Sequence, residues 1–94
     1  MSVIKIDEVA ATTDRNRISA AIPELQAARS ALLRVMEEGE NTKGETGKAI
    51  VEKANVLIHR INKLIQSLQE TSEEIRLTIK LNQAVDAQMS STIK

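Results

Sequence analysis

The chain has 94 residues, with 13 basic and 13 acidic side chains and a formal net charge of zero, so no basic surplus points to nucleic acid or an anionic membrane surface. It has no Phe, Trp or Tyr, so any core is aliphatic and thin. It has no Cys, which excludes a disulfide staple and a Cys-ligated zinc. A single small domain of this kind is expected to gain stability by associating with another chain.

The opening residues, Met1 to Ile6, alternate apolar and polar but are too few for a strand, and they read as a loose lead-in. They contain no apolar run of signal-peptide length. No stretch of the chain reaches the length of a membrane span. Any export is therefore expected to use a route other than a cleaved signal.

Asp7 is placed to cap a helix, because its carboxylate can accept from the free N–H groups two or three residues on. From there the heptad positions are Ala11, Asp14, Ile18, Ala21, Leu25, Ala28, Leu32 and Val35, with Ile22 and Met36 widening the stripe. The first half is weak, since Asp14 falls on the seam. Pro23 removes a backbone hydrogen bond and crowds the preceding turn. The apolar register nevertheless continues from Ile18, Ala21 and Ile22 to Leu25, and Pro23 falls on the outward face. A kink that curves the helix around its partner is the expected reading. A fresh helix starting at Pro23 is the alternative.

Glu37 to Asn41 ends this helix, with Gly39 as the expected left-handed terminator. Thr42 and Glu45 then have capping-box spacing. The first helix is expected over about 7–38, the turn over about 39–42, the second helix over about 43–90, and a loose tail beyond.

The second helix carries the strongest pattern. Ala54, Leu57, Ile61, Leu64, Leu68, Thr71, Ile75, Thr78, Asn82, Val85 and Met89 recur at alternating threes and fours. A second column, Ile58, Ile65, Ser72, Ile79 and Asp86, runs beside them. Two helices joined by so short a turn lie antiparallel. The expected fold is all-α: one antiparallel two-helix hairpin, pairing into a four-helix bundle. A single hairpin is expected to leave Ile58, Ile65 and Ile79 exposed until another helix covers them. The expected interface comprises Ile58, Ile61, Leu64, Ile65, Leu68, Ile75 and Ile79, and the isolated chain is expected to be a homodimer. Leu64 is expected in the core, so Leu64→Ala should cost about 2–5 kcal/mol.

Little in the sequence suggests chemistry. His59 is the only histidine, faces outward, and has no second ligand to share a metal. Thr42 to Ala49 falls short of a phosphate-binding loop, which needs Gly at the place of Thr42 and Ser or Thr at the place of Ala49. Glu37/Glu38 and Glu73/Glu74 lie among basic residues, and Glu73 is spaced to pair with Arg76 or Lys80 as an ordinary surface pair. A two-helix hairpin has no cleft for paired carboxylates. No enzyme activity, metal, cofactor or nucleic-acid partner is expected. Asn82 is the one polar residue of interest on the seam: it either fixes register as a buried Asn or lies beyond the bundle in water. Asp86 is a carboxylate late in a helix, where the dipole disfavours it, so local stability does not account for it.

A chain of this length, with two antiparallel helices, a Gly-bearing turn at Thr42-Lys43-Gly44 and a late Asn82-Gln83-Ala84-Val85-Asp86, resembles the WXG superfamily, the small early-secreted-antigen-like proteins of type VII secretion. The family carries Trp-x-Gly in its turn, and here Thr42 stands in the Trp position while Gly44 is kept. Its export signal is an aromatic residue followed, after three others, by an acid. Here Asn82 stands for the aromatic, and Asp86 is the acid, with Val85 beside it. The chain is most similar to the divergent helical partners that accompany LXG toxins in Gram-positive bacteria. That resemblance implies a non-enzymatic targeting protein. It would bind the helical N-terminal domain of a toxin, or a sister small protein, and help deliver it to the export machinery. It implies a cytoplasmic location, with type VII secretion as the further expectation. Two other readings stay open: a cytoplasmic helical adaptor or regulator, and a polymerising subunit like that of a secretion needle.

Overall fold

The computed structural model describes residues 7–92. The chain is an all-α helical hairpin: α1, Glu8–Glu40, and α2, Glu45–Thr92, pack along each other with no strand among the described residues. The lead-in expected over residues 1–6 lies outside the described residues. The molecule is a rod of 76 × 21 × 13 Å with a radius of gyration of 21.5 Å. A compact domain of about 100 residues has a radius of gyration near 13 Å.

Asp7 caps α1. Its Oδ1 accepts from the N–H groups of Val9 (3.0 Å) and Ala10 (3.1 Å). The helix then runs without a break through Pro23, so no new helix begins there. Pro23 is exposed on the outer face, where its ring meets no partner helix.

The turn differs from expectation in two ways. Gly39 is not a left-handed terminator, for only Gly44 has a positive φ, of 86°. Gly39 stays helical and buried because α2 crosses it closely: a Cβ there would meet Ile50 Cγ2 at 2.7 Å and Val51 Cγ2 at 3.1 Å. Nor does Thr42 form a capping box. Its hydroxyl donates back to the Glu38 carbonyl at 2.8 Å and closes the end of α1. Gly44 instead turns the chain, and its carbonyl accepts from Lys48 N–H at 3.3 Å to open α2. The left-handed step favours a residue without a Cβ, and Gly44 makes it while Gly39 stays within α1.

The core is small and lies towards the turn. Its buried aliphatic residues are Ala54 (3% exposed), Ile58 and Ile65 (7%). The side chains of Ile61, Leu68, Ile75 and Ile79 are half-buried along the same face. From α1, Ala11, Ile18, Leu25 and Leu32 face them, interleaved with Arg15, Ile22, Arg29 and Met36.

This seam corrects the expected one. The column of Ile58, Ile65 and Ile79 packs inside the hairpin rather than waiting for another helix. The row that stays open is Leu57 (37% exposed) and Leu64 (47%), so Leu64 is not in the hairpin core. On α1 the same rotation leaves Asp14, Ala28 and Val35 outside. Two apolar columns side by side on α2 leave the choice to the partner helix. On α1 the half-buried column Arg15, Ile22, Arg29 and Met36 lies on the seam, with Arg15 reaching Ser72 and Arg29 reaching Asn62.

Candidate functional site

The hairpin has two unlike flanks. Across one of them the helices are joined by polar side chains. Near the middle, Arg29 Nη1 donates to Asn62 Oδ1 at 2.6 Å. Towards the open end, Arg15 Nε donates to Ser72 Oγ at 3.3 Å. At the open end itself, Glu8 Oε1 accepts from Asn82 Nδ2 at 3.0 Å, and Gln83 Nε2 approaches Glu8 Oε2 at 3.5 Å. On the same flank Arg76 grips Glu73 with two bonds, at 2.6 and 3.0 Å. Hydrogen bonding to Arg76, with the added charge of Arg76 and Arg15, holds the Glu73 carboxyl below its ordinary range. These groups are exposed, so the pair adds little to stability.

The opposite flank carries no inter-helix hydrogen bond among those described. It presents Ala21, Ala28 and Val35 from α1 and Leu57, Leu64, Thr71 and Thr78 from α2. Each set lies one heptad position to the same side of its seam, and in an antiparallel pair those sides coincide. Val35 is 41% exposed, close to the values for Leu57 and Leu64. A run of half-exposed aliphatic residues on a thin rod is the feature most like a docking surface.

The residues singled out from the sequence fall into different settings. Asn82 is half-buried and engaged with Glu8, so it ties the helices together rather than standing in water. Val85 is half-buried and Asp86 is exposed. Asp86 continues the inward column of Ile79, but it sits one turn beyond the Glu8 contact, past the first turn of α1. Thr42 and Gly44 form the turn far from that end. Ile58 and Ile65 serve the hairpin core, Ile61, Leu68, Ile75 and Ile79 line its seam, and Leu64 alone of the expected interface lies on the open flank. His59 is exposed on the polar flank.

The residues that sequence reading missed are Arg15 and Arg29. They recur in step with Ile22 and Met36, a seven-residue spacing that marks a seam even when its members are charged. Among the described residues no group of His, Asp and Glu could hold a metal, and no helix is long and apolar enough to cross a membrane. Shallow hollows occur among the described residues. One lies under the turn beside Gly39 and Val51, and another beside Lys53, Leu57 and Arg60.

No family model matches the chain, and no curated protein or solved structure matches it.

Proposed function

We propose that the chain is a non-enzymatic helical partner in type VII secretion. It binds the helical N-terminal domain of an LXG-type toxin, or a sister small helical protein, and helps deliver it to the export machinery. In isolation it pairs with itself as a four-helix bundle. It acts in the cytoplasm, with type VII secretion as its route of export. It needs no cofactor.

The observation that carries this reading is the open flank. A two-helix rod with so small a core presents Val35, Leu57 and Leu64 to solvent at half exposure. Such a row is covered economically by another helix, whose aliphatic side chains fit between those already there. The resemblance to the WXG superfamily at Gly44 and Asp86 supports the choice of system. Asp86 stands exposed on α2 beyond the helix-to-helix contacts, where a second protein can reach it.

The test separates delivery from folding. Asp86→Ala should leave helicity and partner binding unchanged, because no bond within the hairpin depends on it. Secretion of the partner toxin should fall sharply in cells that lack the wild-type protein. Normal secretion with this variant would sink the role of Asp86. Loss of partner binding would instead place Asp86 in the interface.

A further inference from the structure

We propose that a solvent-facing stripe of α2, formed by Lys53, Val56, Leu57, Arg60, Lys63 and Leu64, seats the partner's helix, and that this helix presents carboxylates to it with aliphatic side chains between them. This rests on the partner-binding reading above and names the partner's chemistry. The stripe shares Leu57 and Leu64 with the open flank and continues round α2 to Val56 and Lys63.

Zero net charge hides an uneven distribution. None of the 13 acidic residues falls within residues 25–36 or 53–69. These two segments face each other across the hairpin, where Arg29 donates to Asn62. The middle of the rod therefore holds Arg29, Arg34, Lys53, Arg60 and Lys63 with no carboxylate among them. Of the exposed large aliphatic residues, Leu33, Val35, Val56, Leu57 and Leu64 lie in that same middle, and Val9, Leu77 and Leu81 lie towards the open end. On α2 the middle gathers into one face. Steps of three and four from Lys53 lead through the stripe to Ser67, and every residue on the way is exposed. Arg17, Lys48 and Arg76 each pair with an acid three residues away. Lys53, Arg60 and Lys63 have no acid three or four residues away, and none of them makes an ion pair or hydrogen bond among the described residues. Their charge is available to another chain.

Acids close the stripe at its ends. Glu52 borders the hollow that Lys53, Val56, Leu57 and Arg60 share, and Glu70 and Glu74 follow Ser67. Across the open flank, Glu24 and Glu38 of α1 lie near the two ends of the same length, with Val35 between them. The length from Lys53 to Ser67 is about 21 Å, or about four helical turns. A carboxylate-bearing helix is attracted along it and repelled where it overruns, which sets its register. A second copy of this chain does not suit the stripe. Laid stripe on stripe about a two-fold axis, parallel helices bring Lys53, Arg60 and Lys63 each onto itself. Antiparallel helices centred on the stripe bring Arg60 onto Arg60. Opposed like charges are unfavourable, so the stripe is left for a different chain, whatever surface the isolated protein uses to pair with itself. A flat anionic membrane is also a poor fit, because it would press on the acids towards both ends of the 76 Å rod. A short helix meets the cationic middle alone, and its aliphatic side chains find Val56, Leu57 and Leu64 between the charges.

The probe is a fluorescently labelled helical peptide that copies the spacing of the stripe, with Glu at the places of Lys53, Arg60 and Lys63 and Leu at those of Val56, Leu57 and Leu64. A scrambled peptide of the same composition, a copy with Lys in place of Glu, and vesicles of phosphatidylcholine with phosphatidylserine are the comparisons. Anisotropy should show the Glu peptide binding the full chain about tenfold more tightly than the scrambled or the Lys peptide, with affinity falling as salt is raised. The chain carrying Lys53→Glu and Arg60→Glu should bind the Glu peptide about tenfold more weakly and should prefer the Lys peptide, with helicity by circular dichroism unchanged. Arg17→Glu with Lys80→Glu makes the same change in net charge away from the stripe and should leave binding as in wild type. Equal binding of the Glu and scrambled peptides would show diffuse attraction only and overturn the stripe. Vesicle binding that depends on Lys53 and Arg60, without peptide binding, would overturn the choice of a protein partner. In the secreting host, loss of delivery with Asp86→Ala but not with Lys53→Glu and Arg60→Glu would keep the partner reading and overturn the stripe. Register-dependent peptide binding together with normal delivery by Asp86→Ala would keep the stripe and sink the role of Asp86.

Discussion

The closed and open halves of the hairpin hold together by different means. Near the turn, Gly39 lets α2 approach α1 closely, and Ala54, Ile58 and Ile65 are buried within a few turns of one another. Towards the open end no apolar side chain among those described is buried, and polar pairs take over: Arg15 with Ser72, then Glu8 with Asn82 and Gln83. Apolar contact is non-directional and slides easily between equivalent registers. Hydrogen-bonded pairs have one geometry. The closed half therefore supplies most of the cohesion, and the open half fixes alignment.

Ile65→Ala should break the closed half most severely, costing about 2–5 kcal/mol, the range for a buried aliphatic truncated to Ala. Denaturant titration followed by circular dichroism measures it. A loss below about 0.5 kcal/mol would show that cohesion does not reside there. Gly47→Ala should come next, at about 1–3 kcal/mol, the usual cost of forcing extra atoms into a packed site. A Cβ at Gly47 would clash with the Thr42 carbonyl oxygen, so backbone must move. The shift in denaturation midpoint relative to wild type gives its size.

Leu64→Ala should cost about 1 kcal/mol in dilute solution, because only about half of its side chain is covered within one hairpin. The cost should grow with protein concentration if a second chain covers the rest. Glu8→Ala should alter global stability less and act locally. Hydrogen exchange should quicken in the first turns of α1 and around Asn82, with amides near Ile58 unaffected. Uniform quickening would show that the two halves open as one. Glu73→Gln should have the smallest effect and only on the acid side. The Arg76 contact lowers the folded-state pKa of Glu73, so its small stabilising term is present at neutral pH and disappears as the pH falls through that lowered value. The variant should lack that part of the pH profile, read from thermal midpoints across the acid range.

The hairpin was legible in the sequence because long aliphatic periodicity, a single Gly-rich break and Asp7 all point the same way. Which α2 column faces α1 was not. Leu57/Leu64 and Ile58/Ile65 are equally aliphatic, and periodicity ranks columns without choosing the side a partner occupies. The α1 seam includes Arg15 and Arg29, and charged residues are not counted in a hydrophobic pattern. The turn misled for a related reason. Gly39 was the expected terminator, yet it and Gly47 serve close backbone approach and Gly44 makes the left-handed step. Asn82 was legible as a seam residue, but its partner Glu8 lies 74 positions away, and no local rule connects them.

The start of α1 and the end of α2 lie at one tip of a 76 Å rod, and this has a mechanical consequence. A machine that draws the protein by either end loads the helices in an unzipping geometry, not in shear. Force then falls on one cross-helix contact at a time, first Glu8 with Asn82, next Arg15 with Ser72, before it reaches Ile65, then Arg29 with Asn62, and then Ile58. The contacts met first are single hydrogen bonds near solvent, so the peel starts under little tension. Pulled by the turn and one end together, the same rod would resist along its whole length.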